Sequence, residues 1–160
     1  MKKLAFCLII IASGIIQITI LNYFRLFTVK VDLLLICAVI AALSFPLKWS
    51  LFFCLFSGVF KDVFSANDFG VNAVLFCLWG FLIAKLMRKI AIDNNLMRLL
   101  LVGVITLLHN LLMGLIFVYC GVAIPFGVLL RVLIFAPLLT SIFFTPLFKL
   151  TKNTCRNPYE

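Results

Sequence analysis

Long apolar stretches alternate with short charged or turn-rich segments along the chain. Six of these stretches approach the roughly 20 apolar residues that cross the hydrocarbon core of a membrane. The breaks between them are too short to link separate domains. We therefore predict an all-α integral membrane protein, in which residues 1–150 form a single six-helix transmembrane bundle and residues 151–160 a short cytoplasmic tail. The predicted spans are residues 4–21, 31–47, 49–64, 69–87, 96–124 and 126–148.

The second and third predicted spans are shorter than the others. Lys61 and Asp62 reduce the purely apolar part of the third span further. Runs of this length are compatible with tilted helices, or with a re-entrant hairpin from Val31 to Phe64 buried inside the protein. We favour six spans over four spans and a hairpin, although the charge pattern downstream is the same in both arrangements.

Composition agrees with a membrane protein. Hydrophobic residues make up 66% of the 160 positions and charged residues only 12%, about half the share of a soluble domain. A soluble fold of this length could not bury so much apolar surface. The apolar run after Lys2 and Lys3 continues to Leu21 without an A-x-A cleavage site, which favours an uncleaved first helix over a signal peptide.

The net charge of +9 is explained by topology. With a cytoplasmic N-terminus, ten basic residues fall in inner segments and three in outer segments, the bias expected for cytoplasmic loops. Both termini are then predicted to be cytoplasmic, and anionic lipid headgroups rather than nucleic acid are the expected partners of the basic surface. The inner residues are Lys2, Lys3, Lys48, Lys85, Arg88, Lys89, Arg98, Lys149, Lys152 and Arg156, and the outer ones are Arg25, Lys30 and Lys61.

Motifs for catalysis, metal binding and nucleotide binding are absent from the sequence. The six cysteines are scattered without a C-x-x-C pair, and a single histidine and five acidic residues leave little material for an enzyme. We therefore predict a protein that is not an enzyme, with no catalytic residues, no cofactor and no metal.

Small residues recur at helical spacing in the fourth and fifth spans. Membrane helices pack through such residues because these allow backbones to approach. The two stripes predict packing within the bundle, with docking of a partner's helix as the alternative. The first stripe contains Gly70, Ala73, Cys77, Gly80 and Ala84, and the second contains Gly103, Thr106, Asn110, Gly114 and Gly121.

Ionisable residues inside the spans mark the candidate polar sites. Arg131 lies about six residues from the outer end of the last span, and Asp62 or Asp68 is its candidate partner in an outer-side cluster. A snorkelling arginine and a substrate-binding charge are the alternatives. We interpret His109 as a neutral donor to a neighbouring helix rather than a proton relay, and Gln17 as a hydrogen-bonding contact between helices.

Two segments, Gly58-Val59-Phe60-Lys61-Asp62 and Gly70-Val71-Asn72-Ala73, resemble the G-x-x-x-D … G-x-N-A signature of the rod shape-determining MreD family. Val31 to Leu35 is similar to that family's P-D-L-L-L segment, with Val31 in place of the proline. Gln17 to Thr19 resembles its Q-x-T. Gly80-Phe81 and Arg88-Lys89 fit the end of its fourth span, so the resemblance covers about residues 15 to 90.

The resemblance implies a non-enzymatic inner-membrane subunit of the bacterial cell-elongation machinery. Such a subunit associates with MreC and, through it, with MreB and the RodA–transpeptidase peptidoglycan synthase. It also implies mainly structural roles for Gln17, Asp32, Gly58, Asp62, Gly70 and Asn72. The alternative for Asp62 is that it faces a partner or a cavity.

A second class of function competes with the first. The substrate-binding S components of energy-coupling-factor vitamin transporters are six-span proteins of similar size with ligand pockets near the outer face. The outer charges would suit such a pocket, whereas the first span lacks a clear A-x-x-x-A motif. A pore or proton-coupled carrier would need polar residues aligned through the membrane, and His109 with Asn110 is too isolated for that.

Overall fold

Six α-helices make up the regular structure of the computed structural model, which describes residues 2–19, 31–64, 70–87, 94–121 and 125–154. The all-helical prediction is confirmed for these residues, and every predicted span corresponds to one helix. The helices are α1 (Lys2–Thr19), α2 (Leu33–Ser44), α3 (Leu47–Phe64), α4 (Val71–Met87), α5 (Asn95–Tyr119) and α6 (Phe126–Thr154).

Consecutive helices run antiparallel, as contacts at both ends of the bundle show. Gln17 near the end of α1 contacts Asp32 before α2, and Phe6 packs on Phe45 at the opposite end. We call these the Asp32 end and the Lys3 end. Since the direction alternates through α6, the beginning of α1 and the end of α6 both lie at the Lys3 end.

The centre of the bundle is α2. All twelve of its residues are buried, and it contacts each of the other five helices. Its length of about 18 Å is well below the ~30 Å hydrocarbon core of a bilayer. Pro46 ends it, because a residue before proline avoids the helical conformation. The Pro46 carbonyl then accepts hydrogen bonds from Trp49 and Ser50 in the first turn of α3.

The last two helices differ from α2 in length and exposure. Asn95–Tyr119 and Gly127–Thr151 are both long and apolar enough to cross a membrane, yet only 28% and 17% of their apolar windows are buried. The last helix extends to Thr154, so it includes the beginning of the segment that we predicted as a tail. Pro137 and Pro146 lie inside this helix without ending it.

Charged side chains divide between the two ends. The described carboxylates of Asp32 and Asp62 are both at the Asp32 end, together with Lys61. Five described basic side chains are at the Lys3 end, where Lys3 Nζ lies 3.6 Å from the centroid of the Trp49 ring. These five are Lys3, Lys48, Lys85, Arg98 and Lys149.

Candidate functional site

Four polar side chains from four helices meet near the Asp32 end. They are Gln17 of α1, Asp32 at the beginning of α2, Lys61 of α3 and His109 of α5, and together we call them the polar cluster. The Asp32 and Lys61 side chains are mostly buried, and that of His109 is almost entirely so. The cluster therefore lies largely inside the bundle, where electrostatic interactions are stronger than in water.

Asp32 is held on one side by the backbone of α2 and by Gln17. Its Oδ1 accepts hydrogen bonds from the Leu35 N–H at 3.2 Å and from Gln17 Nε2 at 3.4 Å. The first bond caps α2, whose initial N–H groups have no partner within the helix. Gln17 Oε1 accepts from the Leu34 N–H at 3.1 Å, so its amide connects α1 to the beginning of α2.

Lys61 connects Asp32 to His109. The Lys61 ammonium forms an ion pair with Asp32 Oδ2, and its Nζ lies 3.4 Å from His109 Nε2. Because an ammonium group only donates, His109 Nε2 must accept, which assigns the ring proton to Nδ1. Phe76 completes the surroundings: its ring centroid lies 5.1 Å from Lys61 Nζ and 5.4 Å from that of the imidazole.

His109 Nδ1 is the unusual atom of the polar cluster. It is buried and has no hydrogen-bond partner among the described residues. A buried donor without an acceptor destabilises a fold by about 1–3 kcal/mol. We predicted from the sequence that His109 would be a neutral donor to a neighbouring helix. Its described contact with α3 is instead made by Nε2, which accepts from Lys61.

Asp62, the residue after Lys61, points to a different helix. Its Oδ1 accepts from the Asn72 N–H at 3.1 Å and from Asn72 Nδ2 at 2.9 Å, and its Oδ2 accepts from the Ala73 N–H at 2.9 Å. These are groups of the first turn of α4, so the Asp62 carboxylate caps that helix from α3. A negative charge at this position also interacts favourably with the helix dipole. Gly70 begins the turn with a φ of +86°, a conformation that favours glycine.

The predicted stripe on the fourth span lies against α3. A Cβ placed on Gly58 would collide with the backbone of Ala73, and one on Gly80 would lie 2.6 Å from Cys54 Sγ. Ala84 lines a small cavity together with Leu47 of α3. The first residue of this stripe, Gly70, is exposed and precedes the helix. From Ala73 onward, the stripe is thus occupied by a helix of the same chain.

The predicted stripe on the fifth span faces α6 at two positions. A Cβ on Gly103 would lie 3.5 Å from Ser141 Oγ, and one on Gly114 would lie 3.1 Å from Leu129 Cδ1. The Thr106 hydroxyl donates to the carbonyl of Val102 in its own helix. The other two members of this stripe are the half-buried Asn110 and Gly121, which follows the helix in a turn.

The outer-side cluster predicted from Asp62, Asp68 and Arg131 has a different outcome for each member. Asp62 bonds to α4, Arg131 is exposed, and no ion pair joins these two described residues. Asp68 lies outside the described residues, as do Arg88 and Lys89 of the resemblance. The sequence prediction assigned a partner only to Arg131. Lys61 is also a cation within an apolar run and therefore needs a partner, which is the signal that could have identified its ion pair with Asp32.

The chemistry available to the polar cluster is that of a buried ion pair and a neutral imidazole. Removing one member of such a pair leaves a buried charge without its partner, which is strongly destabilising. Among the described residues, no group of three or more histidine, cysteine or acidic side chains is arranged to hold a metal ion.

Comparison with protein-family models, with curated proteins and with solved structures gives no match to this chain.

Proposed function

We propose that this chain is a multi-pass protein of the bacterial cytoplasmic membrane, with six spans and both termini in the cytoplasm. The exposure of α5 and α6 supports this placement. A long apolar helix in the core of a soluble protein is mostly buried, whereas only 28% and 17% of the apolar windows of these two helices are buried. The charge distribution supports the orientation, because five described cations lie at the Lys3 end, which would face the cytoplasm.

Within the bilayer, α2 acts as a buried central helix rather than a lipid-facing span. Its twelve residues contact protein on all sides, so its short length requires no thinning of the bilayer around it. Its polar neighbours at the Asp32 end are enclosed by α1, α3 and α5. This arrangement reconciles six helices with a second span that is too short to cross the membrane alone.

A labelling experiment tests the orientation. Cys120 is exposed and follows α5 at the Asp32 end, which would be the outer face. In a Cys155→Ser variant, a membrane-impermeant maleimide should label Cys120 in intact cells, and a Cys120→Ser control should lose the label. Labelling of Cys120 only after the membrane is permeabilised would contradict the proposed orientation.

The function that we propose is that of a non-enzymatic subunit of the cell-elongation machinery, of the MreD kind, which helps to maintain rod shape. One observation carries this proposal: the segments that resemble the family contact one another in pairs. The Gly58 backbone lies against the Ala73 backbone, and the Asp62 carboxylate accepts a hydrogen bond from the Asn72 side chain. The Gln17 amide donates to Asp32 and accepts from the Leu34 N–H.

The partners implied by this function are MreC and, through it, MreB and the RodA–transpeptidase synthase. The described chain consists almost entirely of helices, so contacts with such partners would use helix faces and the basic Lys3 end. The α4 stripe is already occupied by α3. The more exposed faces of α5 and α6 are therefore the surfaces that we assign to neighbouring subunits.

Depletion in a rod-shaped host tests the function. Cells that lose the protein should become round and misplace wall synthesis, as measured by cell width and by labelling of new peptidoglycan. Expression of Gly103→Ala should restore rods, because the space beside Gly103 accepts a methyl group. Expression of Gly58→Leu should not, because the Ala73 backbone occupies that space. Rod shape that persists after depletion would refute the proposal, and a purified protein carrying a bound vitamin would favour a transport subunit instead.

A further inference from the structure

An apolar cleft separates α4 from α5 in the half of the bundle nearest the Lys3 end. Its volume is about 360 Å³. Buried Trp79, Ile83 and Ile105 form its floor, and exposed side chains from both helices form its walls. About one helical turn beyond Trp79 and Ile105, Phe76 and His109 meet with ring centroids 5.4 Å apart. The exposed wall residues are Leu82, Leu86, Met97, Leu100 and Val104.

The shape and lining of the cleft argue against a partner's transmembrane helix as its occupant. Such helices dock on small residues that allow backbones to approach, and the described residues that line this cleft include no glycine, alanine, serine or threonine. From Trp79 to Leu86 the cleft follows α4 for about 10 Å, a third of the hydrocarbon thickness. A helix that crosses the membrane would need contacts over a much greater length.

Charges beside the cleft indicate what its occupant carries. Lys85 directly precedes the wall residue Leu86 in α4, and Arg98 directly follows the wall residue Met97 in α5, so both cations belong to the helix turns at the Lys3 end of the cleft. Lys85 Nζ lies 5.9 Å from the Phe81 ring centroid on one side, and the Arg98 guanidinium lies 5.1 Å from the Phe148 ring centroid on the other. In the membrane placement proposed above, this end of the cleft lies near the cytoplasmic interface, and an apolar slot with two cations on its end turns complements a lipid with a negative headgroup.

We propose that the cleft between α4 and α5 binds one acyl chain of an anionic phospholipid, whose phosphate lies beside Lys85 and Arg98. This inference rests on the membrane placement proposed above, and it is independent of the role in cell shape. The acyl chain covers the exposed walls and ends near Trp79, on the floor of the cleft. The bound lipid connects α4 to α5 in the region where their backbones are separated.

Tryptophan fluorescence tests this site directly, because the chain has two tryptophans and one of them forms the floor of the cleft. A Trp49→Phe variant, in which Trp79 alone fluoresces, is reconstituted into phosphatidylcholine vesicles. A minor fraction of either phosphatidylglycerol or phosphatidylcholine with brominated acyl chains is then added. We expect brominated phosphatidylglycerol to quench Trp79 at a mole fraction at least fivefold lower than brominated phosphatidylcholine. Equal quenching by the two lipids would overturn the proposal.

Matched variants in the Trp49→Phe background separate the cleft from the general surface. Lys85→Gln should reduce the preference for phosphatidylglycerol about fivefold, the contribution of one basic residue near a membrane surface. Lys48→Gln, an exposed lysine at the same end on α3, should leave the preference unchanged. Equal losses in the two variants would indicate attraction by the surface potential alone and would overturn the site.

A second pair of variants tests the acyl-chain position. Val104→Phe fills the cleft from its wall and should reduce the maximum quenching of Trp79, whereas Val118→Phe, at an equally exposed valine outside the cleft, should not. Flotation with vesicles is measured first for each variant. If the parent protein does not float, the membrane placement is wrong. If it floats without a lipid preference, only the lipid site is wrong, and the depletion experiment still tests the function.

Discussion

In the first four helices, several polar side chains bond from one helix to another, although Ser13 donates to Ile9 within α1, whereas the described threonines of α5 and α6 bond within their own helices. Asp62 bonds from α3 to α4, and the Ser57 hydroxyl donates from α3 to the Leu34 carbonyl of α2 at 2.8 Å. In contrast, Thr106 donates to Val102 and Thr140 to the carbonyl four residues before it. The hydrogen bonds between helices in α1 to α4 therefore specify which helices are neighbours. The threonine hydrogen bonds of α5 and α6 could form in any isolated helix.

Glycines show the same difference. Gly58 and Gly80 allow contacts so close that an added Cβ would collide with α4 or α3, whereas Gly103 leaves room for one. We call helices α1 to α4 the α1–α4 unit. Within this unit, α3 and α4 pack so closely that one added carbon atom at Gly58 or Gly80 would not fit. In the α5–α6 hairpin, a Cβ on Gly114 would lie 3.1 Å from Leu129 Cδ1, which is the end of a side chain rather than backbone, and His109 connects the hairpin to α3. The resemblance to a known family also lies within about residues 15 to 90, and the described residues of that range belong to the closely matched region.

The largest expected effect comes from the ion pair. Lys61→Met should lower the free energy of unfolding by about 3–5 kcal/mol, because the buried Asp32 carboxylate loses its partner. Reversible denaturation in mixed micelles measures this loss. Lys48→Met, an exposed lysine on the same helix, should change stability by less than about 0.5 kcal/mol. Combining Lys61→Met with Asp32→Asn should restore much of the loss, since asparagine also caps helices and leaves no unpaired charge. An additive double variant would contradict the pairing.

The next effect contrasts hydrogen bonds between helices with those within a helix. Asp62→Ala should lower the free energy of unfolding by about 2–4 kcal/mol, because three donors at the beginning of α4 lose a charged acceptor. Thr106→Val removes a hydroxyl that bonds only to its own helix and should lower stability by less than about 1 kcal/mol. Similar losses in the two variants would remove the distinction between the two regions.

The smallest effect concerns the glycines. Gly58→Ala should lower the free energy of unfolding by about 1–3 kcal/mol, because the α3 and α4 backbones must separate to admit a methyl group. Gly103→Ala should change it by at most about 1 kcal/mol and in the stabilising direction, since alanine favours the helix and the methyl group fits beside Ser141. Thermal inactivation in detergent ranks the two variants. A Gly103→Ala variant less stable than Gly58→Ala would show that close approach does not distinguish the regions.

Sequence patterns predicted the helices well and the pairing of their charges poorly. Apolar runs identify helices because the pattern is local, and Pro46 marks the boundary between α2 and α3. The choice of partner depends on helix rotation: Lys61 and Asp62 are neighbours in sequence, yet they point about 100° apart on α3. One therefore meets α2 and α5, whereas the other meets α4. Local patterns contain no information about that rotation.

Small-residue stripes were informative for a related reason. The spacing of Ala73, Cys77 and Gly80 places them on one face of α4, and faces of this type need another backbone nearby. The sequence could not tell whether that backbone belonged to the same chain or to a partner. The contacts of Gly58 and Gly80 answer this for α4, since both lie at its interface with α3.

The complete burial of α2 has a consequence for how the protein is made. If the chain spans the membrane as proposed, an 18 Å helix with no surface for lipid has little reason to enter the bilayer by itself as it leaves the ribosome. Its tight connection at Pro46 and the Ser57–Leu34 hydrogen bond favour entry together with α3, as a preformed hairpin. Its remaining faces are then covered as the later helices arrive. Under the proposed membrane placement, α2 would thus be assembled into the protein after or together with its neighbours rather than inserted into the membrane by itself.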